Sequence, residues 1–207
     1  MSEERPTPKL SAEQRAELAR RDAELDANPE IALTYTSFAE ISSTETIRGY
    51  KTDVTRYVAF GGRTPEFQMP TTGTATYSGV VYGRGSYGRV SADATLSGTS
   101  NLSTDFATGA TSLALNLTAT DRASGTPYAL GTVTYANSVG PGGLTGYRNE
   151  FSLTAIGVGL YFSNARLQFN GPNAAEFAAS FALNKSGNTG YYGDDWMFTG
   201  VAVGKKN

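Results

Sequence analysis

The chain has 207 residues, a length sufficient for one well-filled hydrophobic core. Its 17 basic and 19 acidic residues give a formal net charge of −2, and it has no basic block to neutralise a run of phosphates, so we expect no nucleic-acid partner. Cysteine and histidine are absent, which excludes disulfides and thiolate metal sites and removes the commonest general base and the usual ligand of haem and zinc.

The N-terminal region carries a helix signal. Ser11 and Gln14 form a capping-box pattern ahead of a charged, alanine-rich run, and Asn28-Pro29 ends the run because the residue before a proline disfavours helical geometry. We predict a helix over residues 11–27 with a thin apolar stripe. No stretch approaches the roughly 20 apolar residues of a membrane-spanning helix, and the N-terminus lacks the apolar core of a signal peptide, so we expect no membrane-spanning segment.

Residues 30–70 mix polar and apolar types. A short strand is predicted over 53–60, before a pair of glycines, and we interpret the segment as a collar that leads into the main fold. The predicted domain organisation is an N-terminal extension over 1–69, which contains the helix and the collar, followed by a β-barrel domain over 70–207.

From Thr71 onward the sequence is rich in Gly, Thr, Ser and Ala, and short alternating runs follow one another at hairpin-like spacing. Leu113, Leu115 and Leu117, for example, share one face of a strand and alternate with polar residues. The same period predicts strands over 73–82, 90–97, 112–118, 128–136, 149–158, 164–170, 176–183 and 196–203. Because no helix separates them, short turns join these strands as antiparallel neighbours.

About eight such strands form either a sandwich or a closed barrel. Closure removes exposed strand edges, and inward positions that mix Ala and Gly with Leu, Phe and Tyr suit the tapering interior of a small barrel. The opposite faces carry polar residues such as Asp93, Asn116 and Arg166, unlike the apolar outer band of a membrane barrel. The predicted fold class is all-β, a single soluble antiparallel up-and-down β-barrel of about eight strands with a packed lumen.

Both ends of this region resemble a known family. The resemblance is carried by Pro70–Gly79, Phe169–Leu183 and Thr199–Lys206. The second stretch contains an aromatic residue, then Gly171-Pro172, an Ala-Glu pair, small residues and an apolar strand, which is the order found in the penultimate strand of transferrin-binding-protein-like β-barrel lipoproteins. The third stretch resembles the basic Gly-Lys tail of that family. The likeness covers about residues 70–206, and the chain departs from it in having Ala178-Ala179 where the family favours glycines.

The resemblance implies an eight-stranded barrel that is exported to the cell surface or secreted. Such proteins work beside an outer-membrane receptor or transporter and capture host proteins, metal carriers or haem proteins in nutrient, iron or haem acquisition. Within the motif, Gly171-Pro172 is expected to form a tight turn, and Glu176 is expected to hydrogen-bond backbone groups at the start of its strand. The alternative to a binding role for this motif is closure of the barrel.

Gly83–Gly88 matches the G-x-G-x-x-G pattern of dinucleotide-binding loops. That fingerprint requires a helix after the glycines and an acidic residue about twenty positions later, whereas residues 89–97 alternate as a strand. We therefore interpret the motif as a hairpin turn and expect no cofactor.

The acidic residues do not form a recognised catalytic or metal-binding pattern. Asp194 and Asp195 are adjacent, so an extended backbone would point them to opposite sides, and we interpret them as a solvated turn without a metal. An enzyme would have to use carboxylates such as Asp93, Asp105 or Glu176, and this hypothesis ranks last. We therefore predict a non-enzymatic protein with no catalytic residues.

Aromatic and arginine residues cluster in segments that we predict to be loops. Tyr, Trp and Arg dominate interface energetics because they bury a large area at modest entropic cost. We predict that a protein partner, such as an outer-membrane receptor, binds at Tyr82, Arg84, Tyr87, Tyr147, Arg148, Tyr191, Tyr192 and Trp196. Two alternatives stay open. The rings cap the barrel ends against water, or the chain is a small-ligand carrier of haemophore type that binds at the barrel mouth or loops, where tyrosine can ligate haem iron.

Overall fold

The computed structural model describes residues 32–47, 50–87, 92–137, 150–157, 163–185 and 195–207. The helix predicted over 11–27 lies outside these ranges. Within them, no helix has the length and apolar character needed to cross a membrane.

The first two strands form an antiparallel hairpin that is separate from the barrel sheet. Strand β1 spans Thr36–Ile47 and strand β2 spans Tyr50–Gly61. All 12 residues of each strand are paired in an unbroken register. The predicted strand over 53–60 is therefore confirmed as part of β2, whereas β1 was not predicted.

Eight further strands form a closed antiparallel barrel. They are β3 (Thr74–Tyr87), β4 (Ala92–Asp105), β5 (Thr111–Asp121), β6 (Pro127–Ala136), β7 (Glu150–Ile156), β8 (Asn164–Asn170), β9 (Glu176–Lys185) and β10 (Trp196–Lys206). Each strand pairs with the next, and β10 pairs with both β9 and β3, which closes the ring. The all-β, up-and-down barrel predicted from the sequence is confirmed.

The glycine motif at residues 83–88 requires a correction. Gly83 and Gly85 lie inside β3, which continues to Tyr87, so the interpretation of this segment as a hairpin turn is wrong. Glycine usually weakens a strand, but it also marks places where another backbone approaches closely. A Cβ on Gly83 would lie 2.6 Å from the carbonyl oxygen of Thr199 on β10. The absence of a side chain at Gly83 therefore allows the backbones of β3 and β10 to approach closely.

Aromatic rings on β9 cover the inward glycines of β10. Phe181 lies opposite Gly200, and Phe177 lies opposite Gly204. A Cβ on Gly200 would meet the Phe181 ring at 2.7 Å, and one on Gly204 would meet the Phe177 ring at 2.6 Å. This pairing of an aromatic side chain with a cross-strand glycine fills the space that the glycine leaves.

The barrel lumen is filled by side chains, as predicted. Among the buried residues from the predicted apolar faces are Leu96, Leu113, Leu115, Leu117, Phe177, Phe181 and Leu183. The rings of Tyr77 and Phe169 lie 5.5 Å apart, and Phe106 and Phe151 each lie 5.7 Å from Phe169. The Tyr77 hydroxyl donates to the carbonyl of Ala174 at 2.7 Å, and burial raises the pKa of this phenol.

Two turns of the barrel are stabilised in the same way by an aspartate side chain. Asp105, at the end of β4, accepts the backbone N–H groups of Ala107 and Thr108, and Asp121, at the end of β5, accepts those of Ala123 and Ser124. Gly109 and Gly125 then adopt positive φ angles of 76° and 71°. An aspartate followed four residues later by glycine is therefore the local signal that reverses the chain here.

Candidate binding groove

The hairpin lies against the outer wall of the barrel, over β9 and β10. Phe38 on β1 is buried and stacks on Tyr82 of β3, with ring centroids 4.8 Å apart and planes inclined by 17°. Val201 and Val203, which point outward from β10, belong to the same apolar cluster. Tyr82, which the sequence analysis assigned to a partner-binding loop, thus lies in a strand and packs against the chain's own hairpin.

The turn between β8 and β9 attaches the base of the hairpin. The carboxylate of Glu176 is buried and accepts the backbone N–H groups of Thr34 at 2.6 Å and Tyr35 at 2.9 Å. Asn170 donates from its side chain to the hydroxyl of Thr36 at 2.9 Å. Glu176 does bind backbone groups, as expected, but they belong to the segment before β1 and not to its own strand.

Gly171, in the same turn, makes a close approach to the hairpin. Its φ angle is +73°, and a Cβ at this position would lie 2.7 Å from Cγ of the Tyr35 ring. Its carbonyl accepts the hydroxyl of Thr64 at 2.6 Å, and its N–H donates to Gly62 at 2.8 Å. The motif that resembles the transferrin-binding-protein-like family is therefore a platform for the hairpin as well as a turn between barrel strands.

A groove of about 550 Å³ runs between the hairpin and the barrel wall. Its lining residues are Ser42, Ser43, Thr44, Thr55, Arg84, Gly85, Ser86, Asp93, Met197, Phe198 and Thr199. The volume is within the range of ligand-binding clefts, about 300–1,000 Å³. Hydroxyl side chains dominate the lining, and Met197 offers an exposed apolar surface, since 62% of the residue is accessible to solvent.

One charged network crosses the floor of the groove. Arg84 donates two hydrogen bonds to Asp93, at 2.9 and 2.7 Å, and Arg122 donates a third at 2.8 Å. These guanidinium groups hold the pKa of the Asp93 carboxyl below its usual range, and the hydrogen bonds from Arg84 have the largest effect. Arg84 was predicted as a partner-binding residue in a loop, and the structure instead places it on β3, on the groove floor.

The ion pair between Arg84 and Asp93 was not predicted from the sequence. Arg84 lies opposite Thr95 in the β3–β4 ladder, so Asp93 is its diagonal neighbour on the same face. The alternation of β4 was predicted correctly, but the preceding segment was interpreted as a turn. Had β3 been extended to Tyr87, the pairing of Arg84 with Asp93 would have followed from the sequence.

Tyr82, Tyr87 and Trp196, which were predicted to share a partner surface, do not all lie on one surface. Tyr87 and Trp196 are cross-strand partners at the ends of β3 and β10, and both pack against the barrel core. Tyr87 stacks on Tyr128 at 4.9 Å, and the Lys185 ammonium lies 4.2 Å from the centroid of the Trp196 ring. These rings close one end of the barrel, whereas Tyr82 lies under the hairpin.

The remaining predicted partner residues lie outside the described ranges. They are Tyr147, Arg148, Tyr191 and Tyr192. Asp194, one half of the acidic pair considered for a metal, also lies outside them. Their assignment to a partner surface stays a prediction.

The carboxylates considered for catalysis each have a structural partner. Asp93 binds arginines on the barrel wall, Asp105 binds backbone N–H groups in a turn, and Glu176 binds the hairpin. They belong to three different interactions. The part of the chain that the structure describes contains no group of three or more acidic residues that could hold a metal ion.

Among the solved structures that are similar to this chain are three of transferrin binding protein B. Two are mutants of transferrin binding protein B, a vaccine antigen from Haemophilus parasuis Hp5. The double mutant aligns over 84% of this chain and 33% of its own, with 16% identity and a TM-score of 0.51. The single mutant aligns over 85% and 34%, with 16% identity and a TM-score of 0.54. The third, intact Ap-TbpB with its N and C lobes, aligns over 84% and 34%, with 17% identity and a TM-score of 0.51.

The chain has the barrel fold of transferrin binding protein B. The fold implied by the resemblance of the sequence is thereby confirmed. The chain spans about a third of the length of these proteins. No family model and no curated protein matches it.

Proposed function

We propose that this chain is a non-enzymatic binding protein of the cell surface or the extracellular space. Its barrel serves as a scaffold, and its outer wall and loops bind a protein partner. The observation that carries the proposal is the shared barrel fold with transferrin binding protein B, a protein whose name states what it binds. We further propose a role in nutrient, iron or haem acquisition, beside an outer-membrane receptor or transporter.

The filled lumen directs binding to the outside of the barrel. Leu113, Leu115 and Tyr135 are fully buried in the interior, so the described part of the lumen is occupied by side chains. A partner must therefore bind the outer wall, the loops or the hairpin. The groove between the hairpin and the barrel is one concave surface on the outer wall.

Affinity capture tests the proposal directly. The immobilised chain is exposed to outer-membrane and extracellular fractions of its source cell and, separately, to iron-free and iron-loaded transferrin. Retained proteins are identified by mass spectrometry and quantified by biolayer interferometry. The variants Tyr147→Ala/Arg148→Ala and Tyr191→Ala/Tyr192→Ala address the predicted loop residues, and Asn116→Ala, on the exposed outer side of β5, is the control.

Three outcomes are informative. If a protein is retained by the native chain and by Asn116→Ala, but at least about tenfold more weakly by a loop variant, the binding function is supported, because aromatic and arginine anchors carry most of the energy of an interface. Retention of no protein from any fraction would overturn it. A visible absorbance band on the purified chain would instead favour the haemophore-type carrier.

A further inference from the structure

Two strand faces meet at the groove. On the hairpin, Ser42 shares its face with Phe38, which packs against the barrel, because side chains four positions apart in a strand point to the same side. Its cross-strand neighbour Thr55 lies on the same face, and the two hydroxyl oxygens are 3.3 Å apart. On the barrel, Arg84 shares the outward face of β3 with Tyr82. A hydroxyl-bearing hairpin face therefore lies on one side of the groove and the outer barrel wall on the other.

The floor of the groove is a compact grid of side chains from three neighbouring strands. Met197 of β10 is opposite Ser86 of β3, and Ser86 is opposite Asp93 of β4. In the next row, Thr199 is opposite Arg84. Thioether, hydroxyl, carboxylate and guanidinium groups are therefore neighbours on one small area of the wall, and all five residues line the groove.

The charged side chains that meet at the floor cancel one another. Arg84 and Arg122 both form ion pairs with Asp93. Asp93, and to a smaller extent Glu40 on the hairpin, raise the pKa of the Arg84 guanidinium, so both carboxylates lie near this cation. Two positive and two negative groups leave no net charge for a ligand to neutralise. The carboxylates repel an anion and the arginines repel a cation, so the groove favours an uncharged ligand.

The same network has hydrogen-bonding capacity that the protein does not use. Arg84 binds Asp93 through Nε and Nη2. A guanidinium has further N–H groups, and those on Nη1 have no acceptor among the described residues. Asp93 accepts three hydrogen bonds, whereas a carboxylate has about four acceptor positions. Because the paired hydrogen bonds already fix both side chains, the remaining donor and acceptor positions are preorganised for a ligand.

We propose that the groove is a binding site for a neutral carbohydrate. A sugar hydroxyl both donates and accepts hydrogen bonds, so neighbouring hydroxyls of one ring accept from Arg84 and donate to Asp93. The hydroxyls of Ser86 and Thr199 extend this polar area. The C–H face of the ring packs on Met197, which is 62% exposed. The groove volume of about 550 Å³ is that of a small-ligand cleft.

A carbohydrate fits this lining better than a peptide does. Peptides and proteins are held mainly by aromatic and apolar anchors in well-packed pockets. Of the apolar side chains that line the groove, Phe198 is buried and Met197 is exposed, whereas six of the eleven lining residues carry a hydroxyl group. The inference goes beyond the proposed protein-binding function, and each of the two can fail without the other.

The first experiment screens the full chain on an array of oligosaccharides. The chain is fluorescently labelled and displayed in several copies on one carrier, which compensates for the weak affinity of a single open site. The array carries neutral glycans of hexoses and N-acetylhexosamines, and beside them sialylated and sulfated glycans as the charged arm. A retained neutral glycan is then titrated into the native chain and its variants, and binding is followed by NMR.

Two pairs of variants locate the site. Arg84→Met removes the guanidinium from the floor, and its control is Arg166→Met, which breaks an ion pair with Glu150 elsewhere on the outer wall. Thr199→Val removes one hydroxyl from the groove. Its control is Thr99→Val, which removes a hydroxyl from an exposed position of β4 that is not among the lining residues.

Binding of the glycan to Arg84→Met should be at least about tenfold weaker, because hydrogen bonds from a charged donor are lost. Binding to Thr199→Val should be about threefold weaker or more, and both controls should bind within about twofold of the native chain. In the native chain, the backbone amides of residues 84–86 and 197–199 should shift during the titration. If Arg84→Met has a lower melting temperature, the Thr199 variant and these amide shifts decide.

The inference is overturned if the array retains no neutral glycan or retains charged glycans alone. Equal binding to Arg84→Met and the native chain would also overturn it, as would amide shifts confined to Tyr87 and Trp196 at the barrel end. If affinity capture retains a protein partner while the array retains no glycan, the protein-binding function stands and the carbohydrate site fails. Glycan binding without the capture of any protein gives the reverse result.

Discussion

The carboxylate of Glu176 accepts the backbone N–H of Tyr35 at 2.9 Å, a contact between residues 141 positions apart in the sequence. The second oxygen of the same carboxylate accepts the N–H of Thr34. Glu176 begins β9 and Tyr35 precedes β1, so this one side chain connects the barrel with the hairpin that forms the groove. A two-stranded hairpin is marginally stable alone, and its position therefore depends on such attachments.

We expect Glu176→Gln to loosen the hairpin while the barrel stays folded. The amide retains one acceptor oxygen, so one of the two N–H groups loses its partner, which costs about 1–3 kcal/mol. Hydrogen exchange should accelerate in β1 and β2 and remain slow in β4 and β5. The control is Glu150→Gln, which removes a carboxylate that contacts Arg63 and Arg166 on the outer wall. If both variants exchange like the native chain, Glu176 does not hold the hairpin.

A comparison of Gly171 with Gly125 tests the close approach of the Tyr35 ring to Gly171. Their φ angles are +73° and +71°, but only Gly171 has the Tyr35 ring where a Cβ would lie. Gly125→Ala should cost about 1–2 kcal/mol through the left-handed backbone alone. Gly171→Ala should cost more, and Tyr35→Ala should relieve the excess in the double variant. Equal unfolding free energies for the two alanine variants, measured with urea, would refute the packing argument.

Acid should weaken the charged network on the groove floor. Because the arginines depress the pKa of Asp93 in the folded chain, the network stabilises the fold above the unfolded-state pKa of about 3.9 and loses that contribution as the pH falls through the lower, folded-state value. The melting temperature of the native chain should therefore exceed that of Asp93→Asn by a constant amount near neutral pH, and the gap should narrow in acid.

The size of this effect is small because the network is exposed. A surface ion pair contributes about 0.2–1 kcal/mol, and the Asp93 side chain is 47% accessible. Carbon-13 titration of the Asp93 carboxyl provides an independent measurement, in which Arg84→Met should raise the pKa toward its usual range. A titration that is the same with and without Arg84 would contradict the assignment of the pKa shift to that residue.

The barrel could be predicted from sequence because most of its strands bury one face only. In β5 the leucines at 113, 115 and 117 are buried and polar residues alternate with them. Strand β1 lacks this pattern, since Phe38 faces the barrel while Ile41, at the other parity, is 49% exposed. Because apolar residues occupy both even and odd positions, β1 shows no alternation of apolar and polar residues, and this strand was not predicted.

The groove was less predictable because it combines distant segments. Residues 42–44, 84–86 and 197–199 meet only after the barrel closes and the hairpin packs on its outer wall. The composition near Arg84 did indicate an unusual site, but the glycines beside it favoured a turn over a strand. Their actual role, the close approach of β10 to β3, depends on a partner strand more than 100 residues away in the chain.

Tyr82 offers a way to separate packing from partner binding. Its ring stacks on Phe38 at 4.8 Å, so we expect Tyr82→Ala and Phe38→Ala each to increase hydrogen exchange in the hairpin. A double-mutant cycle should give a coupling of about 0.5–1.5 kcal/mol, the usual value for an aromatic pair beyond its buried area. Tyr82→Phe keeps the ring and therefore the stacking on Phe38. If instead the two alanine effects add without coupling, and Tyr82→Phe alone abolishes partner capture, then the Tyr82 hydroxyl contacts the partner and the ring is not primarily a packing residue.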